Sequence, residues 1–265
     1  MRSIYCLFII LLTLSACSGD STEKNKPDDD PENLVPPSAN LAIPDNRFTN
    51  NYQVVIFGNS HVAGLDSLIK TLISAGNPFA KINISNAGGG FLDDQFNRQR
   101  RVTLLENRPW THVILQGQKY SQSGATIYPT IAARVWIDKA KNRGITPILF
   151  PEHPQKDNNE EGKRVHKIHT GIAAIQKSCV APVGLTWDKV IITEPELALH
   201  SSDGNHASVI GKLLTAFVFY EVITGESADL LPFIDGIGVD QASQQILRQF
   251  ASETIQAFQP CMFDT

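Results

Sequence analysis

Apolar and polar residues follow one another along this chain in two alternating periods. Short apolar or β-branched runs predict buried strands, whereas apolar residues spaced three and four apart predict amphipathic helices. The predicted strands cover residues 52–57, 81–85, 111–116, 145–150 and 180–186. The predicted helices cover residues 63–75, 91–105, 127–142, 160–177 and 207–223.

Predicted strands and helices alternate five times. This order is typical of βαβ units, whose crossovers place helices on both faces of a parallel sheet. We therefore expect residues 41–265 to form one three-layer α/β/α domain around a five-stranded, mostly parallel sheet. The sequence has no Gly-x-Gly-x-x-Gly and no Walker motif, so it suggests no nucleotide cofactor.

The N-terminus carries a different pattern. Arg2 precedes an apolar run that ends in Leu-Ser-Ala before Cys17. About a dozen apolar residues are too few to span a bilayer, which takes about 20, so residues 1–16 are predicted to be an export signal. The ending resembles the bacterial lipobox, which implies lipid attachment at Cys17, and Ser18 after it favours the outer membrane of the cell envelope. The alternative is a plain secretory peptide cleaved nearby.

Residues 17–40 are predicted to be a disordered linker behind that lipid anchor. They contain almost nothing apolar, so they cannot bury enough surface to offset the chain entropy. Segment 18–32 has six acidic residues and two lysines, a charge of −4, against −4 for the whole chain. The domain is thus nearly neutral, which argues against nucleic acid or an anionic lipid surface as its partner.

Two of the four cysteines lie in the domain. Cys6 leaves with the export signal and Cys17 would carry lipid, so Cys179 and Cys261 remain. In an oxidising compartment they are the right number for one disulfide, which would pin the C-terminal tail. The alternative is two unpaired buried thiols. No metal site is predicted from their spacing.

Ser60 follows the first predicted strand in the sequence Gly58-Asn59-Ser60-His61. The carboxyl edge of an open α/β sheet is where such folds bind ligands. A helix that begins just after the serine would direct its free N–H groups towards an oxyanion on an attacked substrate. Ser60 is therefore a candidate nucleophile, with an ordinary helix N-cap as the alternative.

Asp203 and His206 lie three residues apart before the strongly apolar helix at 207–223. At this spacing a carboxylate reaches the near ring nitrogen of the histidine and fixes its tautomer, which leaves the far nitrogen for a serine. The alternative is an Asp N-cap with a histidine in the first turn.

Together these motifs resemble the SGNH (GDSL-type) hydrolases, in their lipoprotein and carbohydrate-esterase-like branch. Of the conserved sequence blocks of that family, block one matches at Gly58-Asn59-Ser60-His61, block two at the glycine turn Gly88-Gly89-Gly90 after the second predicted strand, and block five at Asp203 and His206. The resemblance implies a flavodoxin-like fold and a catalytic triad of Ser60, His206 and Asp203, without a metal or organic cofactor.

The resemblance also implies an oxyanion hole. The expected donors are the backbone N–H of Ser60, that of Gly89 or Gly90, and an amide side chain. The family's Gly-x-Asn-Asp block is missing, so Gln116 or Gln118 is expected to replace its asparagine.

An esterase that removes acetyl or other small acyl groups from a glycan is the function that this resemblance implies. A lysophospholipase or thioesterase is the alternative within the class, and a catalytically silent binding domain on the cell surface is the alternative outside it. Further histidines are expected on the surface (His166, His169) or beside the cleft (His61, His112, His153, His200).

Overall fold

The computed structural model of the protein describes residues 37, 39–96 and 98–263. The predicted export signal, Cys17 and most of the predicted linker lie outside the described residues and stay predictions. In the part of the chain that the structure describes, no helix is both long enough and apolar enough to cross a membrane.

Five parallel strands form the central sheet, in the spatial order β2-β1-β3-β4-β5. Successive side chains of a strand point to opposite faces, so Val54 and Ile56 enter one core while Val55 and Phe57 enter the other. The predicted three-layer α/β/α fold is confirmed. The strands are β1 (Asn51–Gly58), β2 (Lys81–Gly89), β3 (His112–Gln116), β4 (Thr146–Phe150) and β5 (Cys179–Val180).

Helices cover both faces of this sheet. One layer contains α1 (Leu65–Gly76), α6 (Val183–Thr193), α7 (Val209–Thr224) and α8 (Gln241–Ala257). The other layer contains α2 (Leu92–Phe96), α3 (Gln99–Glu106), α4 (Ile131–Lys141) and α5 (Glu161–Ile175). Helix α7 is buried along nearly its whole length, because it lies between α1 and α8 and also contacts α6.

The predicted strand at 180–186 is wrong beyond its first residue. β5 ends at Val180, and α6 begins three residues later. Pro182 has no N–H to donate to a sheet ladder, but it is compatible with the start of a helix. Its carbonyl accepts hydrogen bonds from the backbone N–H and the hydroxyl of Thr186.

Several helices also differ from the prediction. The predicted helix at 91–105 is two helices, α2 and α3. The predicted helix at 127–142 begins only at Ile131, because Pro129 disfavours a helical conformation at the residue before it. Helix α8, which closes the chain, was missing from the predicted elements.

An extended segment, residues 39–46, closes the amino edge of the sheet. The Asn46 amide donates to the carbonyl oxygens of Thr111 (3.0 Å) and Gly144 (2.9 Å) and to the hydroxyl of Thr146 (3.0 Å). The side-chain oxygen of Asn40 accepts from the Lys141 ammonium at 2.9 Å. These contacts satisfy backbone groups at the end of the sheet away from Ser60.

The C-terminal tail is joined to the same edge. Cys179 and Cys261 form a disulfide. The N–H of Val180 donates to the carbonyl oxygen of Pro260 at 2.7 Å, so the tail lies beside the short edge strand β5.

Candidate active site

Ser60 leaves the carboxyl end of β1 in a tight turn that its neighbours hold on both sides. The backbone N–H of Asn59 donates to Oε1 of Gln116 at 2.7 Å, and the Asn59 side chain accepts from the His61 N–H at 3.0 Å. A Cβ on Gly58 would lie 2.5 Å from the same Gln116 oxygen, so the turn requires glycine there. The serine opens a short 3₁₀ turn, Ser60–Val62, rather than the predicted α-helix.

Asp203, His206 and Ser60 form a continuous hydrogen-bonded chain. Nδ1 of His206 lies 2.6 Å from Oδ2 of Asp203, and Nε2 lies 2.8 Å from Oγ of Ser60. A carboxylate only accepts, so the proton sits on Nδ1, and Nε2 is free to accept from the serine hydroxyl. The structure thus brings Ser60 together with the Asp203–His206 pair, although His206 lies 146 positions further along the chain.

Asp203 is held by more than the histidine. Its Oδ1 accepts from the Ser201 hydroxyl (2.7 Å) and from the backbone N–H groups of Asn205 and His206 (both 2.9 Å). The side-chain bond with His206, followed by these bonds, holds the pKa of Asp203 well below its usual range. The carboxylate therefore stays ionised, as an orienting acceptor requires. The pair lies in the turn before α7, with Ser208 as the actual N-cap of that helix.

The side-chain amides of Gln116 and Gln118 both make hydrogen bonds within the protein. Nε2 of Gln116 donates to the Glu152 carboxylate, and its oxygen supports Asn59. Nε2 of Gln118 donates to the carbonyl oxygens of Lys119 (2.9 Å) and Pro129 (3.1 Å). Both donors of Gln118 are thereby used, and Gln116 links strand ends. The expectation that one of them supplies a free amide to an oxyanion is not supported by these contacts.

The glycine turn after β2 lies against the serine turn. The N–H of Gly90 donates to the carbonyl oxygen of Gly58 at 3.1 Å, so it is already engaged. In the described residues, no side chain and no loop carbonyl accepts from the N–H of Gly89 or of Ser60. These two backbone groups are the candidate donors to an oxyanion. Gln95, fully buried, holds the turn by donating to Gly90 O at 2.6 Å.

Aromatic rings stack from the core out to the triad. Trp187 stacks on His153 with ring centroids 3.9 Å apart, His153 meets His61 edge-on at 5.0 Å, and His61 stacks on His206 at 5.3 Å. Burial lowers the pKa of His153 to about 3 and is also the main cause that lowers the pKa of His61. Both rings are neutral near pH 7 beside the imidazole that must take up a proton.

The remaining histidines lie in different parts of the fold. His112 is buried at the amino end of β3, far from the triad edge, and His169 is buried in α5, so the expected places of both were wrong. His200 lies in the triad loop, 6.0 Å from His153 between ring centroids. In the described part of the chain, no cluster of three or more His, Cys, Asp or Glu side chains could hold a metal ion.

Sequence reasoning missed Glu152 and Tyr120. Glu152 follows β4 and accepts from Gln116, and the Tyr120 hydroxyl donates to the buried Glu161 at 3.1 Å. Burial, then the nearby Glu152 and Glu161, raises the pKa of Tyr120, so it stays a neutral donor. The sequence Pro-Glu-His-Pro at the end of a predicted strand could have marked Glu152 as a residue of the active edge. Its contact with Gln116 could not be predicted, because it depends on which strands are neighbours in the sheet.

An open cleft of about 950 Å³ adjoins the serine turn. Hydroxyl, amide and charged groups dominate its wall, and Phe91 is the one lining residue in the described chain that lacks a polar side-chain group. The cleft is lined by Asn59, His61, Phe91, Lys119, Tyr120, Ser121, Gln122, Ser123, Tyr128, Glu152, Gln155 and Asn205.

The class of fold follows from three features. The strand order is β2-β1-β3-β4-β5, a serine follows β1, and an Asp-x-x-His motif precedes α7. The chain has the three-layer α/β/α fold of the SGNH (GDSL-type) hydrolase superfamily. No protein-family profile matches the chain, and no curated protein matches it either.

Solved structures supply the comparison. A protein from Slackia heliotrinireducens, named as a putative SGNH hydrolase, matches with a TM-score of 0.53 and 18% identity, covering 64% of this chain and 98% of its own. A DUF4886 family protein from Bacteroides uniformis matches with a TM-score of 0.64 and 14% identity, covering 80% of this chain and 98% of its own. An acetylxylan esterase from Geobacillus stearothermophilus matches with a TM-score of 0.54 and 16% identity, covering 65% of this chain and 94% of its own. At these identities the likeness concerns the fold.

Proposed function

We propose that the protein is a serine esterase of the SGNH type. The observation that carries this proposal is the hydrogen-bonded chain from Asp203 through His206 to Ser60 at the carboxyl edge of the sheet. An ordinary N-cap serine needs no histidine at 2.8 Å, and an ordinary capping aspartate needs no serine beyond its histidine.

In the proposed reaction, Ser60 attacks the ester carbonyl while His206 takes its proton. His206 then passes the proton to the leaving alcohol, and an acyl-enzyme remains on Ser60. Water attacks the acyl group with His206 again as base, which releases the acid and restores the serine. Asp203 holds the tautomer of His206 and stabilises the imidazolium that forms at each step.

The tetrahedral oxyanion takes hydrogen bonds from the backbone N–H groups of Ser60 and Gly89 in this proposal. Both groups lack a partner among the side chains and loop carbonyls of the described residues, as donors reserved for a transient charge should. No metal or organic cofactor takes part.

The substrate class that we propose is a glycan, or another polar alcohol, that carries a small acyl group. The polar wall of the open cleft supports it, because hydroxyl and amide groups match sugar hydroxyls. Tyr128 and Phe91, 39% and 40% exposed, offer ring faces for apolar sugar surfaces. The acetylxylan esterase with a similar fold agrees with this choice.

A lysophospholipase or thioesterase is the second candidate. A lipase/acylhydrolase from Enterococcus faecalis has a similar fold, with a TM-score of 0.50 and 18% identity over 66% of this chain and 96% of its own. Such an enzyme needs an apolar acyl channel, and the cleft wall favours short acyl groups instead. A silent binding domain at the cell surface would not need the aligned triad.

We further propose that Cys17 carries a lipid that anchors the domain to the bacterial cell envelope, most consistently at the outer membrane. The support is the Leu-Ser-Ala-Cys17 ending and the polar linker behind it. Labelling cells with a radioactive fatty acid tests this proposal, because a Cys17→Ala variant should lose the label.

The deciding experiment for the function compares residues 37–265 with the Ser60→Ala variant on p-nitrophenyl acetate, butyrate and octanoate. We expect hydrolysis of acetate in preference to octanoate, and a loss of roughly 10⁴-fold or more in the variant. Labelling by a fluorophosphonate probe should vanish with it. A folded protein that hydrolyses none of the esters and takes no label would instead support a binding domain.

A further inference from the structure

Two loops at the active edge hold each other through a reciprocal pair of histidine hydrogen bonds. Nε2 of His153, in the loop after β4, lies 3.0 Å from the carbonyl oxygen of Asn205 in the triad loop. Nε2 of His200, in the triad loop, lies 2.8 Å from the carbonyl oxygen of Pro154 in the loop after β4. Each loop therefore gives one imidazole and receives one.

The direction of both bonds follows from their acceptors. A carbonyl oxygen only accepts, so each histidine carries its proton on Nε2. Burial lowers the pKa of His153 to about 3, so this ring is a neutral donor throughout the working range of an esterase. Trp187, itself fully buried, fixes the plane of the His153 ring by stacking at 3.9 Å and 15°.

Two more hydrogen bonds run between the same loops. The Gln155 amide donates to the side-chain oxygen of Asn205 at 3.0 Å, and the N–H of Lys156 donates to the carbonyl oxygen of Gly204 at 2.8 Å. Asn205 thus has both its backbone carbonyl and its side chain held, and it directly precedes His206.

The triad pair is only partly buried. The side chains of Asp203 and His206 are 51% and 39% exposed, and His206 stacks on His61 with ring centroids 5.3 Å apart. The loop's own bonds, such as Ser201 N–H to His206 O at 2.8 Å, give it an internal shape. They do not determine its distance from Ser60, which lies on another strand.

We propose that His153 and His200 are positioning residues that hold the triad loop so that His206 stays within hydrogen-bond reach of Ser60. The proposal rests on the proposed function, because it assigns these histidines to that reaction. Neither residue contacts the reacting atoms. Their effect is the placement of the catalytic base, for which an error of about 1 Å can cost on the order of a hundredfold in rate.

Paired substitutions test this proposal. His153→Phe keeps a flat ring against Trp187 and removes the donor, whereas His153→Gln keeps an N–H donor at a similar reach. His169→Phe is the matched control, because His169 is also buried and its ring bonds to one backbone carbonyl, Val165 O at 2.8 Å, away from the triad.

For ester hydrolysis, we expect His153→Phe to lower kcat by 10-fold to 100-fold with KM within about twofold. His153→Gln should recover kcat to within about threefold of the unmodified protein, and His169→Phe should leave it unchanged while lowering the melting temperature. His200→Phe should lower kcat in the same direction, and as a partly exposed residue it tests the pair even if His153→Phe does not fold.

Hydrogen–deuterium exchange of the peptide that covers residues 199–207 gives a readout independent of catalysis. We expect faster exchange there in His153→Phe and His200→Phe, but not in His169→Phe. Equal exchange in all variants, or a kcat of folded His153→Phe and His200→Phe within twofold of the control, would overturn the proposal. Equal damage by Phe and Gln at position 153 would also overturn it. If the unmodified protein hydrolyses no ester, the proposed function fails while the exchange result still decides the role of the pair.

Discussion

His112 and His206 lie at opposite ends of the same sheet and meet opposite conditions. His112 is fully buried at the amino end of β3, and burial lowers its pKa to about 3. His206 is partly exposed at the carboxyl end, between Asp203 and Ser60. Residue type alone therefore says little about role, because the end of the sheet decides what the ring can do.

The difference arises from what covers each end. At the amino edge, the segment 39–46 and the tail beside Cys261 satisfy backbone groups with amide and carbonyl partners. At the carboxyl edge, side chains and backbone groups of several loops bond to one another around Ser60 and His206. We expect substitutions at the carboxyl edge to change turnover and those at the amino edge to change stability.

Asp203→Asn should have the largest effect. The amide would favour the wrong tautomer of His206, so we expect kcat to fall by about 10⁴-fold with little change in the melting temperature. Asp240→Asn is the control, since Asp240 is an exposed N-cap of α8 with its own serine partner, Ser243, and does not line the cleft. A kcat loss below tenfold in Asp203→Asn would contradict the triad.

We expect acid to lower the free energy of unfolding, mainly because three buried histidines resist protonation in the folded protein. Burial lowers the pKa values of His112 and His153 to about 3 and of His169 to about 4, against 6.5 for a free histidine. Below about pH 6 these histidines are protonated in the unfolded chain but stay neutral in the folded protein. The free energy of unfolding therefore falls as the pH falls.

Asp188 acts in the opposite direction, because burial raises its pKa to about 6 and the folded protein then binds a proton. For these four groups alone, three histidines less one aspartate, a net of about two protons corresponds to roughly 3 kcal/mol per pH unit near pH 5. Urea unfolding at pH 7, 6 and 5 measures this slope, and His112→Phe should reduce it by roughly 1.4 kcal/mol per unit. A flat profile would show that the rings are not held neutral.

Asn46→Ala tests the amino edge. The change removes a donor to three acceptors, so we expect a loss of about 1–3 kcal/mol in the free energy of unfolding and an unchanged kcat. Asn142→Ala, where the amide bonds only to Asp138 on the surface, should cost much less. A change in kcat with Asn46→Ala would contradict the expectation that substitutions at the amino edge affect stability alone.

The two glutamines give the smallest and most discriminating comparison. Gln116→Ala leaves the Asn59 N–H without its acceptor, so we expect kcat to fall about 10-fold to 100-fold through the serine turn. Gln118→Ala should mainly raise KM, because Gln118 holds the cleft loop. A large loss of kcat in Gln118→Ala alone would restore it as an oxyanion donor. Gln244→Ala, a buried glutamine in α8, controls for lost stability.

Much of this architecture could be predicted from sequence because its signals are local. The apolar runs gave the strands, and Ser60, Asp203 and His206 each follow or precede an element at a fixed spacing. The roles of Gln116 and Glu152 could not be predicted, since they depend on which strands are neighbours. The burial of His169 could not be predicted either. It depends on which side of α5 meets the sheet, and the polar residues around His169 in the sequence suggested an exposed position.

Both ends of the described chain emerge on the side of the molecule away from the cleft. Asn40 is tied to the amino edge, and Phe263 lies beneath the Arg47 guanidinium at 4.1 Å, near the same edge. A support, fusion partner or bead attached at either end would therefore leave the cleft facing outward. Attachment through either end of the described chain is thus compatible with a cleft that stays open to solvent.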